Sequence, residues 1–189
     1  MLENKQAMPN WCYTSYIVEG DPETIDSLEN LMTELEDLPE PYVKSDFGNT
    51  WLGCIVNKLG SDWNEVSCRG SWTNLCRLRE DALSFDTETA WGPMEETIDL
   101  IREKFPGIEN VWYYSEEPGM AYYATNDEAG KYWKERYVIQ DDVTGEEERP
   151  ETLEEALYII STWRGWTYNS LEEAEKDEEL FIKQIDIEK

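Results

Sequence analysis

Two pairs of carboxylates stand where acid–base chemistry could be done. Asp86 and Glu88 lie two apart in the run Ala82 to Trp91, and Glu116 and Glu117 adjoin a turn that leads to Met120. Paired carboxylates serve as general acid and base in glycoside hydrolysis when they are about 5 to 9.5 Å apart in unequal environments. The same oxygens suit Ca²⁺ or Mg²⁺. However, the most loop-like acidic stretch, DDVTGEEER, lacks the D-x-[DN]-x-[DN]-G spacing of a calcium loop. With 43 Asp and Glu in 189 residues, acidic neighbours arise by chance almost anywhere, so neither pair assigns a reaction. Cys68 and Cys76 sit beside Arg69 and Arg77, which lower a thiol pKa, yet the chain holds no histidine to activate a nucleophile. The spacing of the four cysteines includes no CxxC pair, and they read as free buried thiols. Phosphate loops of the GxxxxGK[ST] type and GxGxxG fingerprints are missing. The sequence therefore assigns no catalytic residue, no metal ligand and no cofactor.

The aromatics form a second group. Trp72, Trp112 and Tyr122 join the four carboxylates as a candidate surface, because an indole or phenol near a strand end can stack on a sugar, a base or a partner side chain. The competing reading for Trp11, Trp72 and Trp91 is core packing, with Trp91 sealing a sheet–helix junction. Trp112, opposite in phase to Val111 and Tyr113, is the more exposed aromatic.

These residues need a scaffold, and the periodicities supply one. Trp11 to Glu19 alternates as a strand. Asp21 and Pro22 cap a helix whose apolar stripe is Ile25, Leu28, Leu31, Met32 and Leu35, ending before Pro39 and Pro41. A short helix covers Trp51 to Leu59, with Gly60 as its stop. Ser71 to Leu78 and Ala82 to Trp91 pair around Arg79–Asp81; Leu83, Phe85, Thr87, Thr89 and Trp91 share one face of the second strand. A helix carrying Met94, Ile98, Ile101 and Phe105 runs from Gly92–Pro93 to Pro106–Gly107. A hairpin over Val111 to Thr125 turns at Pro118–Gly119, and a strand follows over Tyr132 to Ile139.

Thr152/Glu155 and Ser170/Glu173 have capping-box spacing. They open two further helices, the second carrying Leu171, Ala174, Phe181 and Ile185. The expected class is α+β: a ferredoxin-like split β-α-β-β-α-β unit with an antiparallel sheet, extra C-terminal strands and two added helices. The expected domains are 1–140 and an acidic helical extension, 141–189, packed on the first.

Four segments resemble the YubB-type ferredoxin-like domain of plasmid, phage and gut-bacterial proteins. They are Met8-Pro9-Asn10-Trp11-Cys12, Arg69-Gly70-Ser71-Trp72, Leu83 through Pro93, and Tyr114 through Met120. They span roughly residues 8–130. The resemblance implies the ferredoxin-like fold and a bacterial or mobile-element setting; since members of that family commonly begin at the MPN methionine, Leu2 to Ala7 reads as either an upstream start or an extension. It implies no catalysis, since that family has no established activity.

The net charge of −27 limits the partners. It repels nucleic acid phosphates and anionic membranes and attracts basic proteins. The charge is uneven: residues 19–46 hold 10 acids and 1 base, and residues 141–189 hold 16 acids and 5 bases. No stretch approaches the length of a membrane span, and the N-terminal residues lack a secretory profile, so the expected location is cytoplasmic. The leading functional expectation is a non-enzymatic binding protein that engages a basic protein surface. The alternatives are an enzyme using paired carboxylates on a neutral or cationic substrate, an acidic mimic of nucleic acid, and a structural subunit.

Overall fold

The computed structural model describes residues 10–188. Met8 and Pro9 of the first resembling segment, and residues Leu2 to Ala7, lie outside the described residues. The class is α+β, with five α-helices among the described residues and both antiparallel and parallel strand pairs. The chain divides into two compact units at Tyr122/Tyr123. The sequence boundary at 140/141 instead falls within a strand, because residues 137–141 find their strand partners further along the chain.

The first unit contains β1 (Trp11–Gly20), α1 (Pro22–Glu36), α2 (Leu52–Lys58), β2 (Gly70–Arg79), β3 (Ala82–Ala90), α3 (Glu95–Lys104) and β4 (Ile108–Glu117). The strands run in the order β2-β3-β1-β4, each antiparallel to its neighbour. Asp21 caps α1 by accepting the Thr24 N–H at 2.9 Å, and Pro22 occupies the first turn, where its missing N–H leaves no bond unmade. Ile25, Leu28, Met32 and Leu35 are fully buried against Tyr16, Val18, Leu83 and Phe85 of the sheet. Leu100 and Ile101 of α3 join the same core.

Strand pleating sends alternate residues to opposite faces. One face is therefore helix-covered, and the other carries Tyr13, Ser15, Ile17, Ser84, Asp86, Glu88, Trp112, Tyr114 and Glu116. A bulge between Thr73 and Cys76, with Asn74 at φ 53°, shifts the register of β2.

Trp91 departs from expectation. It lies one residue beyond β3, in the left-handed region at φ 73°, and is 52% exposed. The strand alternation that placed it beside Phe85 stops at Ala90. Its N–H bonds to the Asn10 carbonyl at 2.9 Å, which turns the side chain out of the core phase.

The second unit contains β5 (Tyr122–Thr125, its first residue on the other side of the division), β6 (Tyr137–Asp141), β7 (Glu147–Glu148), α4 (Leu153–Arg164), α5 (Leu171–Ala174), β8 (Leu180–Gln184) and β9 (Asp186–Ile187). β6 lies between β7 and β8 in an antiparallel sheet, and β5 pairs with β9 in parallel. Both capping boxes form: Thr152 Oγ1 accepts the Glu155 N–H and Ser170 Oγ accepts the Glu173 N–H, each at 3.2 Å. The apolar stripe of α4 is buried in its own unit, with Ala156 and Ile160 against Ile139, Tyr168 and Ala174.

Two expectations are corrected here. The helix opened by Ser170 is only four residues long, and Phe181 lies in β8 with Ile185 just after it. Like charges at Glu172, Glu175, Glu178 and Glu179 oppose a longer helix, and Phe181 and Ile182 pair with Gln140 and Ile139 of β6 instead. The strand expected from Tyr132 begins only at Tyr137. The buried Asp127 carboxylate takes the N–H groups of Lys131, Tyr132 and Trp133 at 2.8, 2.6 and 3.0 Å, winding those residues into a loop. Among the described residues, no helix is long and apolar enough to cross a membrane.

Candidate functional site

The strand registers assemble part of the expected surface on the face of the first unit's sheet away from the helices. Tyr13 of β1 stands opposite Glu88 of β3 on one side and Glu116 of β4 on the other. Its hydroxyl donates to Glu88 Oε1 at 3.2 Å. One step along, Ser15 stands between Asp86 and Tyr114 and donates to Asp86 Oδ1 at 2.7 Å. The bulge residue Asn74 donates to the other Asp86 oxygen at 2.7 Å. At the next level, Ile17 stands opposite Ser84 and Trp112.

Trp112 donates its indole N–H to Glu19 Oε2 at 2.7 Å, and Arg79 closes the opposite side of that carboxylate at 2.7 Å. Asp86, Glu88, Trp112 and Glu116 thus share one surface. Tyr13, which is 49% exposed, is its central member, and sequence reasoning missed it. The alternation of WCYTSYIVE carried the signal, because it puts Tyr13 and Ser15 out of phase with the core residues Tyr16 and Val18. Glu88 presses on Tyr13 electrostatically and holds its phenol above the ordinary tyrosine range.

Two expected members, Trp72 and Glu117, lie elsewhere. Trp72 is fully buried in the helix-covered core, where its indole N–H donates to Glu36 Oε1 at 2.8 Å. The fixed register Trp72↔Thr87 puts it in phase with Phe85, and a residue in that phase cannot also lie on the open face. Glu117 is also in the helix-side phase, so adjacency in sequence separates it from Glu116. It is 4% exposed; Oε1 accepts the Gly119 N–H at 3.2 Å, and Oε2 has no hydrogen-bond partner. Tyr122 is half-buried at the start of β5.

Glu117 ends a buried polar block running across three strands. Thr87, Thr14 and Ser115 form one row by register, and Thr89 and Cys12 belong to the next. Ser115 Oγ lies 2.7 Å from Thr14 Oγ1 and 3.1 Å from Cys12 Sγ, whereas Thr87 Oγ1 has no partner. Burial pushes the Cys12 thiol up. The Ser115 and Thr14 hydroxyls oppose this, and the Glu117 and Glu116 carboxylates add to the rise. A thiol held protonated in this way is a poor nucleophile. Cys68 is pushed up to about 11, again mainly by burial.

The geometry bears on the chemistry. Glu88 and Glu116 lie on strands two apart, a backbone separation of about 9.5 Å. Both are partly solvated, whereas a general acid needs one desolvated carboxyl, and the desolvated Glu117 is on the other face. The open face can therefore offer carboxylate acceptors and aromatic rings to a ligand. Among the described residues, no group of three or more His, Cys, Asp or Glu is arranged to hold a metal ion. Set against family models, curated proteins and solved structures, the chain matches none.

Proposed function

We propose that this protein is a binding module without a reaction of its own, and that its partner is a basic protein surface. One observation carries the reading: Glu88 and Glu116 flank the exposed Tyr13 on an open sheet face, with Asp86 one register step away. The nearby bases are committed elsewhere. Arg77 pairs with Asp26 and Glu29 at 2.7 and 2.8 Å, and Arg79 with Glu19 and Asp81 at 2.7 and 3.1 Å. The net charge of −27 adds long-range attraction for a cationic partner. The first unit is proposed to be ferredoxin-like, as in the YubB-type proteins its sequence resembles. The order of its main elements, its strand order β2-β3-β1-β4 and its antiparallel pairing support that assignment.

The test is calorimetric titration with a short synthetic peptide rich in arginine and lysine, and with its glutamate counterpart, at about 50 mM and about 300 mM salt. The basic peptide alone binds, more weakly at the higher salt, and the double substitution E88Q/E116Q reduces the affinity by about threefold or more. Lack of binding at low salt, or equal binding of the acidic peptide, removes the reading.

A further inference from the structure

The second unit has a groove of its own along α4. Glu154, Leu157, Tyr158 and Ser161 recur at three- and four-residue steps and form one wall. The chain then reverses at Gly165, whose φ of 74° ends the helix in the left-handed conformation while its N–H bonds to the Ser161 carbonyl at 2.9 Å. That reversal brings Trp166 and Tyr168 back along the helix as the opposite wall. The groove is shallow and open to solvent along its length, with a volume of about 540 Å³. From Glu154 to Ser161 the wall is about 10 Å long, enough for one long side chain and its flanking residues.

The walls differ in rigidity. Tyr168 is 7% exposed; its hydroxyl donates to Asp177 Oδ2 at 2.7 Å, and its N–H to Ser161 Oγ at 3.1 Å. Its ring centroid lies 6.1 Å from that of Trp166. Trp166 and Tyr158, by contrast, are 58% and 73% exposed, and Trp166 leans on Tyr168 with most of its surface still turned to solvent. Two large exposed aromatics beside the groove offer ring faces to a ligand. The electrostatics select its occupant. Glu154 lines the groove and Glu155 follows it, while the single base of α4, Arg164, is turned inward to Asp141 and Asp177 at 3.1 and 3.2 Å. The groove therefore combines ring faces with a carboxylate that no α4 base neutralises.

We infer that the α4 groove is a binding site for an arginine side chain of a basic partner segment, with the guanidinium stacked between Trp166 and Tyr158 and its edge directed to Glu154. A planar guanidinium suits both demands, since it stacks on aromatic faces and offers donors in its plane. The inference rests on the basic-partner reading but places this contact on a surface separate from the open sheet face.

The experiment follows the indole N–H resonances of the full-length protein by NMR, with the Trp166 signal assigned by its loss in W166F. The ligands are an arginine-rich peptide, the same peptide with glutamate for arginine, and a neutral glucose trisaccharide. The expected result is a saturable shift of the Trp166 signal with the arginine peptide alone. Affinity should fall about tenfold in W166A and in Y158A, and less in E154Q. If the arginine peptide binds but W166A and Y158A leave its affinity unchanged, the groove assignment is wrong while the basic-partner reading stands. If the arginine peptide does not bind at all, both fall. A Trp166 shift with the trisaccharide, or one that tracks self-association of the protein, also overturns the assignment.

Discussion

Arg164 Nη1 lies 3.1 Å from Asp141 Oδ2, a pairing that joins the last residue of α4 to the last residue of β6 with side chains only 9% and 2% exposed. Asp141 also accepts the N–H groups of Val143 and Thr144 at 2.8 and 3.1 Å, so the same carboxylate forms the turn toward β7. Asp177 and Glu179 complete the acidic surroundings of the guanidinium. One cation is thus shared by the helix end, the strand end and the segment entering β8.

Removing that cation leaves Asp141 buried beside two more carboxylates. Arg164→Met should destabilise the protein by about 3 kcal/mol, measured by urea denaturation. Arg164→Lys should lose less, because the charge remains while the planar fork is lost. Equal stability of the methionine variant and the parent would remove the structural role of the pair.

Asp127 gives a pH dependence. Burial alone would raise its carboxyl pKa, but the N–H groups of Trp133, Tyr132 and Lys131 and the charge of Arg136 outweigh that and hold it below the ordinary range. The same direction holds for Asp177, chiefly through the Tyr168 hydroxyl. A carboxyl depressed in the folded state stabilises fully above its unfolded pKa of about 4, and that stability is lost as pH falls through the folded value. Denaturation midpoints should therefore decline below about pH 4. Asp127→Asn should lower stability at pH 7 by about 1–3 kcal/mol and reduce the acid-dependent loss. A parallel acid profile for the variant would count against this assignment.

Trp72 separates core from surface. Trp72→Phe keeps most of the buried area but leaves Glu36 without its indole donor, a cost of about 1 kcal/mol; Trp72→Ala should cost about 3–5 kcal/mol. Neither change should alter affinity for a basic peptide once the protein is folded. A specific loss of binding in the phenylalanine variant would return Trp72 to the recognition surface.

The thiols should divide by burial. Cys76 is exposed, whereas Cys12, Cys54 and Cys68 are buried, with pKa values raised chiefly by that burial. Iodoacetamide at neutral pH should label Cys76 first and the other three only on denaturation, read by mass spectrometry of peptides. Rapid native labelling of Cys12 would show that the polar block around Ser115 opens to solvent.

What could be read from the sequence was local. Asp21–Pro22 placed the start of α1, the stripe Ile25, Leu28, Met32 and Leu35 gave its buried face, and both capping boxes formed where their spacing put them. Signals of this kind work because a helix turn or a strand alternation relates residues within a few positions. The same logic placed Asp86 and Glu88 on the polar face of β3, and Trp112 out of phase with Val111 and Tyr113. It failed where a contact from outside the element decided the outcome. The Asn10 carbonyl took the Trp91 N–H, the Asp127 carboxylate took the N–H groups expected of a strand, and β6 drew Phe181 and Ile182 out of a helix.

The candidate surface shows the same division. Sequence by itself determined the charge excess, the residue types and the face each strand residue occupies. Only the tertiary structure decided that Tyr13 stands between Glu88 and Glu116, since strand order and register depend on partners as far as 103 positions away. It also decided that Glu117 is 4% exposed with one carboxylate oxygen unbonded, and that Arg164 is spent on Asp141 rather than on the acids beside Trp166. Those outcomes depend on which apolar faces bury together, and that choice is made by the whole chain.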